Sequence, residues 1–584
     1  MTTDLPTFRH ALWHCLFTGL TLLCLLCPIT QGRQATERAG PPRQISYSLT
    51  YAQGETGPHF RIELRFTGHE SGHTDLVLPS RTGGQTQLYE AIQKLEVLTA
   101  NVQVAETTEP WVRTLTHPPE QEIRLRYELR QDRPDALQVS RGVGFRPILQ
   151  PAYFHWLGSA WVYPALDEAE HMDFRLEWNN LPDGWTISNT FGADQRRQRF
   201  TTTLRSFGSS VFVGGDFRLR QVIVRNRPVR MALRGTWQFT DDELGALVGK
   251  VFGVVRGFWH DDAYPDYLVT LLPMEGLANG MANSGTGLDH SFAMFATPNS
   301  VLRDLQYLLA HELFHNWNPR RLGRLPDPPE SLYWFSEGVT DYYAWRLLWR
   351  GGLITAEEYL AKYNATLRNY HTSPLRHETN ARLAREFFSD AELSRLAYWR
   401  GNLLAGNWDT LIRAASEGRQ SLDDVMRELT GNRHTLTPET IGAIAGRFAK
   451  ADLAPELRRI HAGSELIMPL PNLFGACAER VMTEIGEYEL GIDLEALQAR
   501  MEIQRVIPGS AAWRAGLRDG QRVLRRPAFS PGDASQEIEL TVRESGREKT
   551  VRFTPARGPM VSVPQFRWMA GRAAARRVNC EQAY

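Results

Sequence analysis

Alternating apolar and polar positions dominate the chain between residues 44 and 234. Residues 45–50 (ISYSLT) and 60–66 (FRIELRF) place apolar side chains at every second position, which is the period of a strand with one buried face. Further strands are predicted at 123–129, 174–178 and 211–213, with turn residues between them. The pattern predicts a β-rich, sandwich-like N-terminal domain over residues 44–234.

From about residue 235 the apolar period becomes helical. Residues 240–243 (TDDE) are typical of a helix start, and residues 301–310 carry apolar side chains at helical spacing, with Ser300 as the predicted N-cap. Other helices are predicted at 332–349, 355–370, 390–415 and 421–429, and strands at 266–273 and 291–297, on either side of a glycine-rich loop. We predict a mixed α/β domain with a helical lobe over residues 235–463.

The last part of the chain begins after a linker signal at residues 468–472 (MPLPN). Leu490-Gly491-Ile492 fits an apolar-Gly-apolar loop that presents backbone N–H groups to a carboxylate, and residues 508–520 fit the turn, helix and loop that follow. Residues 477–555 therefore resemble a PDZ domain, followed by a tail at 556–584. Such a domain binds a peptide by adding a strand to its sheet edge; the alternative is a domain that only buttresses its neighbour.

Composition narrows the class of protein. A chain of 584 residues with 42% apolar side chains should form several domains with real cores. Lys and Arg together number 66, and so do Asp and Glu, so nothing in the charge balance indicates nucleic acid or an anionic membrane as a partner.

The N-terminus is predicted to be an export signal. Arg9 and His10 precede an apolar run over residues 11–26, and small residues surround a cleavage point after Gly32. We predict a signal peptide at residues 1–32 and a periplasmic or secreted protein without a membrane contact after cleavage. A retained N-terminal membrane anchor is the alternative.

Cysteine usage agrees with an oxidising compartment. Cys15, Cys24 and Cys27 lie in the predicted signal, which leaves only Cys477 and Cys580. These two residues flank the last domain, and a disulfide between them would tie its ends together.

The candidate chemistry lies at His311-Glu312-Leu313-Phe314-His315 and at Glu337. Histidines four residues apart share a helical face, so both imidazoles can reach one metal ion. Glu312 lies beside them, where it can take a proton from a metal-bound water, and Glu337 can supply a third ligand. Three protein ligands and one open position are typical of a catalytic zinc site, so we predict one Zn²⁺ per chain. The alternative is a hydrogen-bonded histidine pair in an ordinary core helix.

Asp341 is a candidate for orienting a histidine. It follows Glu337 by four residues and shares its helical face. A carboxylate there can accept the free ring N–H of a ligating histidine and fix its tautomer. The alternative is a solvated aspartate on the helix surface.

Two stretches carry a resemblance to a known family. Residues 311–321 read HELFHNWNPRR and residues 334–343 read WFSEGVTDYY. With these runs the chain resembles the PDZ-bearing glycyl aminopeptidases of metallopeptidase family sixty-one. The resemblance implies a thermolysin-like catalytic fold, zinc held by His311, His315 and Glu337, and Glu312 as the general base.

Two more site residues are implied by resemblance alone. Tyr398, in residues 397–401 (AYWRG), is similar to a tyrosine of related membrane-alanyl aminopeptidases whose hydroxyl donates to the oxyanion of the reaction. Asp289, in residues 285–290 (GTGLDH), stands where relatives carry a glutamate that binds the substrate α-amine. The alternatives are a core tyrosine and an edge-strand aspartate without substrate contact.

The sequence thus predicts a multidomain α+β protein that is an exported zinc aminopeptidase, acting on short peptides with small N-terminal residues such as glycine or alanine. One alternative is a zinc endopeptidase guided by its PDZ domain. A second is an inactive protein that binds peptides in the PDZ groove. The predicted partners are peptide substrates and, at that groove, a protein C-terminus.

Overall fold

The computed structural model describes residues 43–569 except 56, 135–136, 139–141, 143, 265, 276–280, 327, 431–434, 495, 526 and 528. The predicted signal peptide and Cys580 lie outside the described residues. None of the helices within these ranges combines the length and the apolar character of a membrane span.

The N-terminal part is built from strands, as its alternating pattern predicts. They are β1 (Gln44–Gly54), β2 (Gly57–Thr67), β3 (His73–Val77), β4 (Ile92–Val97), β5 (Gln103–Glu106), β6 (Val112–Thr116), β7 (Glu122–Arg130), β8 (Ile148–Gln150), β9 (Tyr153–Leu157), β10 (Tyr163–Pro164), β11 (His171–Asn179), β12 (Thr186–Asn189), β13 (Gly192–Ala193), β14 (Arg197–Thr203) and β15 (Val211–Gly215), with helix α1 (Leu204–Gly208) between the last two.

Three sheets organise these strands. Their orders are β14-β11-β1-β2-β7-β4, β10-β3-β6-β5 and β13-β12-β15-β9-β8. The inward faces share one apolar core that is rich in aromatic rings, among them Phe60, Trp156 and Phe212. Buried and exposed residues alternate along β1 and β2, which explains the alternating apolar and polar positions in their sequences.

A further sheet crosses the predicted domain boundary at residue 234. Its strands are β16 (Arg218–Val224), β17 (Arg227–Leu233), β18 (Tyr267–Pro273), β19 (Asn283–Leu288) and β20 (Ser291–Ala296), in the order β16-β17-β18-β20-β19. β17 pairs in parallel with β18, so β16 and β17 belong with the α/β region and not with the sandwich. Helix α2 (Asp241–Trp259) connects β17 to β18, and Thr240 caps it as predicted.

The predicted glycine-rich loop contains the edge strand β19. Gly285 pairs with Met294 and Gly287 with Phe292. A Cβ at Gly287 would lie 2.7 Å from the carbonyl oxygen of Glu312. Glycine therefore lets this strand approach the helix that carries the histidines. Because glycine has a low strand propensity, the sequence pattern did not predict this strand.

The helical lobe follows the sheet. Its helices are α3 (Leu302–Phe314), α4 (Tyr333–Ser336), α5 (Gly338–Arg350), α6 (Ala356–Thr372), α7 (Asn380–Glu386), α8 (Ala391–Ala415), α9 (Leu422–Leu429), α10 (Pro438–Ala449) and α11 (Ala454–His461). Helix α3 begins one residue later than predicted, with Val301 and not Ser300 at the N-cap. The helix predicted over 332–349 is interrupted at Glu337, which joins α4 to α5.

The C-terminal domain contains β21 (Ala478–Tyr488), α12 (Ala511–Arg514), β22 (Arg522–Val523), β23 (Ile538–Glu544), β24 (Arg547–Phe553) and β25 (Ala556–Trp568). β21 and β25 pair along their length, so residues 556–568 are a strand and not the predicted tail. This ribbon packs on α6, where the Asn364 side chain donates to the carbonyl of Phe566 at 2.8 Å.

The predicted peptide-binding loop is part of that domain's core. Leu490 and Ile492 are 6% and 8% exposed, and Gly491 accepts a hydrogen bond from the N–H of Ile507. These three residues lie outside any strand, so peptide binding at this loop stays a prediction. Cys477 is disulfide-bonded, whereas its predicted partner lies beyond the described residues.

Candidate active site

Helix α3 positions the first three site residues. Leu305, Leu309 and Leu313 recur at four-residue spacing and are buried, so this face of the helix packs into the core of the lobe. His311 and Glu312 lie in the last turn, and His315 follows as the C-cap residue. The apolar face thus fixes the rotation of the helix, which sets the direction of both imidazoles.

His311, His315 and Glu337 converge on one point. The two histidine Nε2 atoms are 3.2 Å apart, and Glu337 Oε2 lies 3.3 Å from His311 Nε2 and 3.5 Å from His315 Nε2. Glu312 also reaches this cluster, since one ligand atom of each of His311, Glu312 and His315 lies within 4.8 Å of the others. Glu337 is the better third ligand, because Glu312 Oε2 is engaged 2.6 Å from the N–H of Gly287.

This triangle of atoms fits a zinc ion. Tetrahedral zinc with bonds of about 2.0–2.1 Å places its ligand atoms about 3.3–3.4 Å apart. The observed separations bracket that value. Two imidazoles and one carboxylate are also a donor set that suits zinc, and a fourth tetrahedral position remains for water or substrate.

Hydrogen bonds to the other ring nitrogens orient both histidines. His315 Nδ1 donates to the carbonyl oxygen of Asn318 at 2.9 Å, which leaves Nε2 as the electron-pair donor. His311 Nδ1 lies 3.4 Å from the hydroxyl of Tyr307, one helical turn earlier. These contacts select the tautomer that a metal ligand needs.

Asp341 reaches His311 through Tyr307 and not directly, which corrects the predicted contact. Tyr307 donates its hydroxyl hydrogen to Asp341 Oδ1 at 2.5 Å, and Asn402 donates to Asp341 Oδ2 at 2.7 Å. Burial raises the pKa of Asp341, against the opposing effect of the Tyr307 hydrogen bond. Sequence reasoning missed Tyr307 and Asn402; the four-residue spacing of Tyr307 from His311 was the available signal.

Glu312 faces the metal position from the side of β19. Burial raises the pKa of its carboxyl, while the neighbouring His315 and His311 oppose the rise. The N–H of Gly287 holds Oε2 in place. The group is thus a partly buried carboxylate whose basicity is raised and whose orientation is fixed, as a general base requires.

The two residues implied by resemblance occupy different surroundings. The ring of Tyr398, on α8, lies 6.0 Å from the ring of His311 and nearly parallel to it. Asp289 lies in the turn between β19 and β20; its carboxylate accepts a 2.5 Å hydrogen bond from Ser206 and lies 3.5 Å from His290 Nε2. Tyr398 is therefore at the site, and Asp289 follows Gly287 by two residues, just after the end of β19.

Zinc affinity should fall as the pH is lowered from about 9. Burial lowers the pKa of His315, but Glu337 outweighs burial and raises that pKa to about 9. The same imidazoles outweigh burial at Glu337 and hold its pKa below the ordinary range. A ligand must bind as neutral imidazole, so each pH unit below about 9 costs about tenfold in affinity.

Competition with a chelating dye, corrected for the protonation of the dye, measures this dependence. We expect affinity to rise about tenfold between about pH 7 and about pH 8. A constant affinity across that interval would mean that His315 is already neutral there, as at an ordinary histidine pKa of about 6.5.

Comparison with known proteins finds one family model that matches part of the chain. Residues 304–385 match the sequence model of the M61 glycyl aminopeptidase family, a segment that includes His311, Glu312, His315, Glu337 and Asp341. No curated protein sequence matches the chain significantly.

Solved structures resemble the chain over most of its length. An aminopeptidase N family protein from Idiomarina loihiensis aligns with a TM-score of 0.66 at 16% identity, covering 90% of this chain and 98% of that one. An M1 zinc metallopeptidase from Deinococcus radiodurans aligns with a TM-score of 0.46 at 15% identity, covering 74% and 96%. The first alignment shows a shared multidomain α+β fold. The chain is thus a peptidase that is similar to the M61 glycyl aminopeptidase family over residues 304–385, the segment that contains His311, Glu312, His315 and Glu337.

Proposed function

We propose that the chain is an exported, zinc-dependent aminopeptidase that cleaves short peptides after small N-terminal residues such as glycine or alanine. The observation that carries the metallopeptidase part is the triangle of His311 Nε2, His315 Nε2 and Glu337 Oε2, with the partly buried Glu312 carboxylate beside it. Export rests on the apolar N-terminal run alone.

The residues of the chain divide the reaction among them. His311, His315 and Glu337 would hold zinc, which would act as a Lewis acid toward the scissile carbonyl and would lower the pKa of water. Glu312 accepts the proton of the attacking water and returns it to the leaving amine. Tyr398 donates its hydroxyl hydrogen to the oxyanion that forms as the carbonyl is attacked. The Tyr307–Asp341 pair holds the His311 ring in place.

The preference for a free N-terminus rests on Asp289. Its carboxylate lies just beyond β19, the strand that contacts Glu312 through Gly287. Oδ2 accepts from Ser206, and Oδ1, which lies 3.5 Å from His290 Nε2, is the oxygen that would pair with an ammonium group. A carboxylate at this place favours a substrate whose α-amine lies close to the scissile bond.

Blocking the substrate amine tests this function. We expect a peptide with N-terminal glycine to be hydrolysed and its N-acetylated form to be resistant, because acetylation removes the charge that Asp289 binds. Mass spectrometry of the products gives both the rate and the bond that is cleaved.

The matched variant is Asp289→Asn. It should lower kcat/KM for the free peptide by about 10-fold to 100-fold, with no loss of metal. Equal turnover of free and acetylated peptides would refute the exopeptidase claim and indicate an endopeptidase with the same zinc chemistry.

A further inference from the structure

A cavity of about 350 Å³ lies between the N-terminal β-rich domain and strand β19. One side is formed by residues 77–82 together with Leu204, Arg205, Gly208 and Ser209, and the other by residues 286–288 with Arg320. Gly287 lines this cavity and donates its N–H to Glu312 Oε2 at 2.6 Å. The cavity therefore begins one peptide group away from the proposed general base.

Two hydrogen bonds fix Arg320 in the wall of this cavity. Its Nη2 donates to the carbonyl oxygen of Gly287 at 2.7 Å, and its Nη1 donates to Ser209 Oγ at 2.8 Å. Both acceptors are uncharged, so the guanidinium keeps its full positive charge. Its position bridges the free edge of β19 and the sandwich.

The charges that line the cavity do not balance. Arg81, Arg205 and Arg320 face a single carboxylate, Glu168, which leaves an excess of two positive charges. Glu168 lies 3.7 Å from Arg205. Neither Arg81 nor Arg320 forms an ion pair with any carboxylate of the described residues.

Asp289 does not add a negative charge to the cavity wall. Asp289 follows Leu288 of the cavity wall, but it is not among the lining residues. Its oxygens are directed to Ser206 and His290. The chain thus presents an anion-binding cavity on one side of Glu312 and a carboxylate at the end of the same strand.

We propose that this cavity binds a carboxylate of the peptide substrate, so that the enzyme prefers short acidic peptides or peptides with a free C-terminus. The inference rests on the proposed peptidase function. Gly287 and Ser209 use one hydrogen on each Nη of Arg320. The second hydrogen on each Nη can be donated to a carboxylate oxygen, and Arg81 adds a second charge. An acidic side chain and a terminal α-carboxylate present the same chemistry to these residues.

Matched peptides separate the two sources. Glutamate and glutamine are compared at each position of a short peptide, in free-acid and in C-terminally amidated form. We expect kcat/KM for the preferred carboxylate to exceed that of its amide by about tenfold or more. A difference between glutamate and glutamine that persists in amidated peptides identifies a side-chain carboxylate as the bound group. A difference only between the free-acid and the amidated peptide identifies the C-terminal carboxylate. Added salt should reduce either one.

Two variants assign the effect to the cavity. Arg81→Gln removes an exposed guanidinium that has no ion-pair or hydrogen-bond partner among the described residues. Arg320→Gln removes the guanidinium that Gly287 and Ser209 hold in place. Both should bring the ratio of acidic to neutral turnover towards one, with turnover of the neutral peptide retained in Arg81→Gln. Arg419→Gln, an exposed arginine on the helical lobe that pairs with Glu417, is the matched control and should leave the ratio unchanged.

Binding measurements keep this inference distinct from the proposed function. Calorimetry on the zinc-loaded Glu312→Gln protein reports the affinity of each acid and amide pair without turnover. Hydrolysis by wild type with no acid preference in turnover or binding would overturn the carboxylate site and leave the peptidase standing. Absence of any peptide cleavage by wild type would overturn the proposed function. The carboxylate site would still be supported if acidic peptides bound more tightly than their amides and this preference were lost in Arg81→Gln and Arg320→Gln.

Discussion

Replacing Glu312 with glutamine should lower kcat/KM for peptide hydrolysis by about 10²-fold to 10⁴-fold and leave the metal in place. Glutamine has the same shape and can still accept the N–H of Gly287 through its amide oxygen, so β19 should stay in position. It cannot accept the proton of the attacking water. The three atoms that form the zinc triangle belong to other residues and are untouched.

Two measurements are needed on this variant. Metal content by elemental analysis should remain at the wild-type level, and steady-state kinetics should show the loss mainly in kcat, because the interaction is made in the transition state. Glu439→Gln, at an exposed position on α10, is the control and should behave as wild type. Activity of Glu312→Gln within a few-fold of wild type would remove Glu312 from the mechanism.

The strands and long helices of this chain are visible in its sequence because their apolar periods are regular. β1 and β2 alternate almost without exception, and α2 carries both its capping threonine and its acidic first turn. The histidine pair is equally clear in the sequence, since residues four apart on a helix lie on the same face. These features depend on residues close together in the chain.

The features that the sequence did not show depend on contacts between distant segments. β19 is rich in glycine because it approaches α3 closely. The same glycines have low strand propensity, so the segment was predicted to be a loop. The direct contact predicted for Asp341 failed because Tyr307 stands between it and His311. The predicted domain boundary at residue 234 was wrong because β17 pairs with β18, from which it is separated by thirty-odd residues of helix and loop. Pairing between distant strands cannot be detected from local composition.

Glu337 illustrates both cases. Its motif predicted a metal ligand at this position, yet the continuous helix predicted around it is two helices that meet at this residue. The break is supported from α8. Gly401 and Gly338 lie against each other so closely that a Cβ at Gly401 would lie 2.6 Å from the Cα of Gly338 and would also overlap the carbonyl oxygen of Trp334.

Substituting Gly401 with alanine should therefore destabilise the fold and weaken zinc binding together. The added methyl meets backbone atoms on both sides, which cannot rotate away, and overpacking of this kind costs about 3 kcal/mol. The shift must move the α4–α5 junction, and Glu337 is the residue at that junction. We expect the melting temperature to fall by roughly 5–10 °C and the zinc affinity to fall with it.

Gly253→Ala on α2 is the matched control for this second prediction. Gly253 is also inside a helix, but nothing lies within 4 Å of the position of an added Cβ. Alanine there should be neutral or should stabilise by about 0.5–1 kcal/mol, because it raises helix propensity. Calorimetric melting and dye competition on both variants separate the outcomes. A Gly401→Ala protein as stable as wild type, with unchanged zinc affinity, would show that the Gly338–Gly401 contact does not position Glu337.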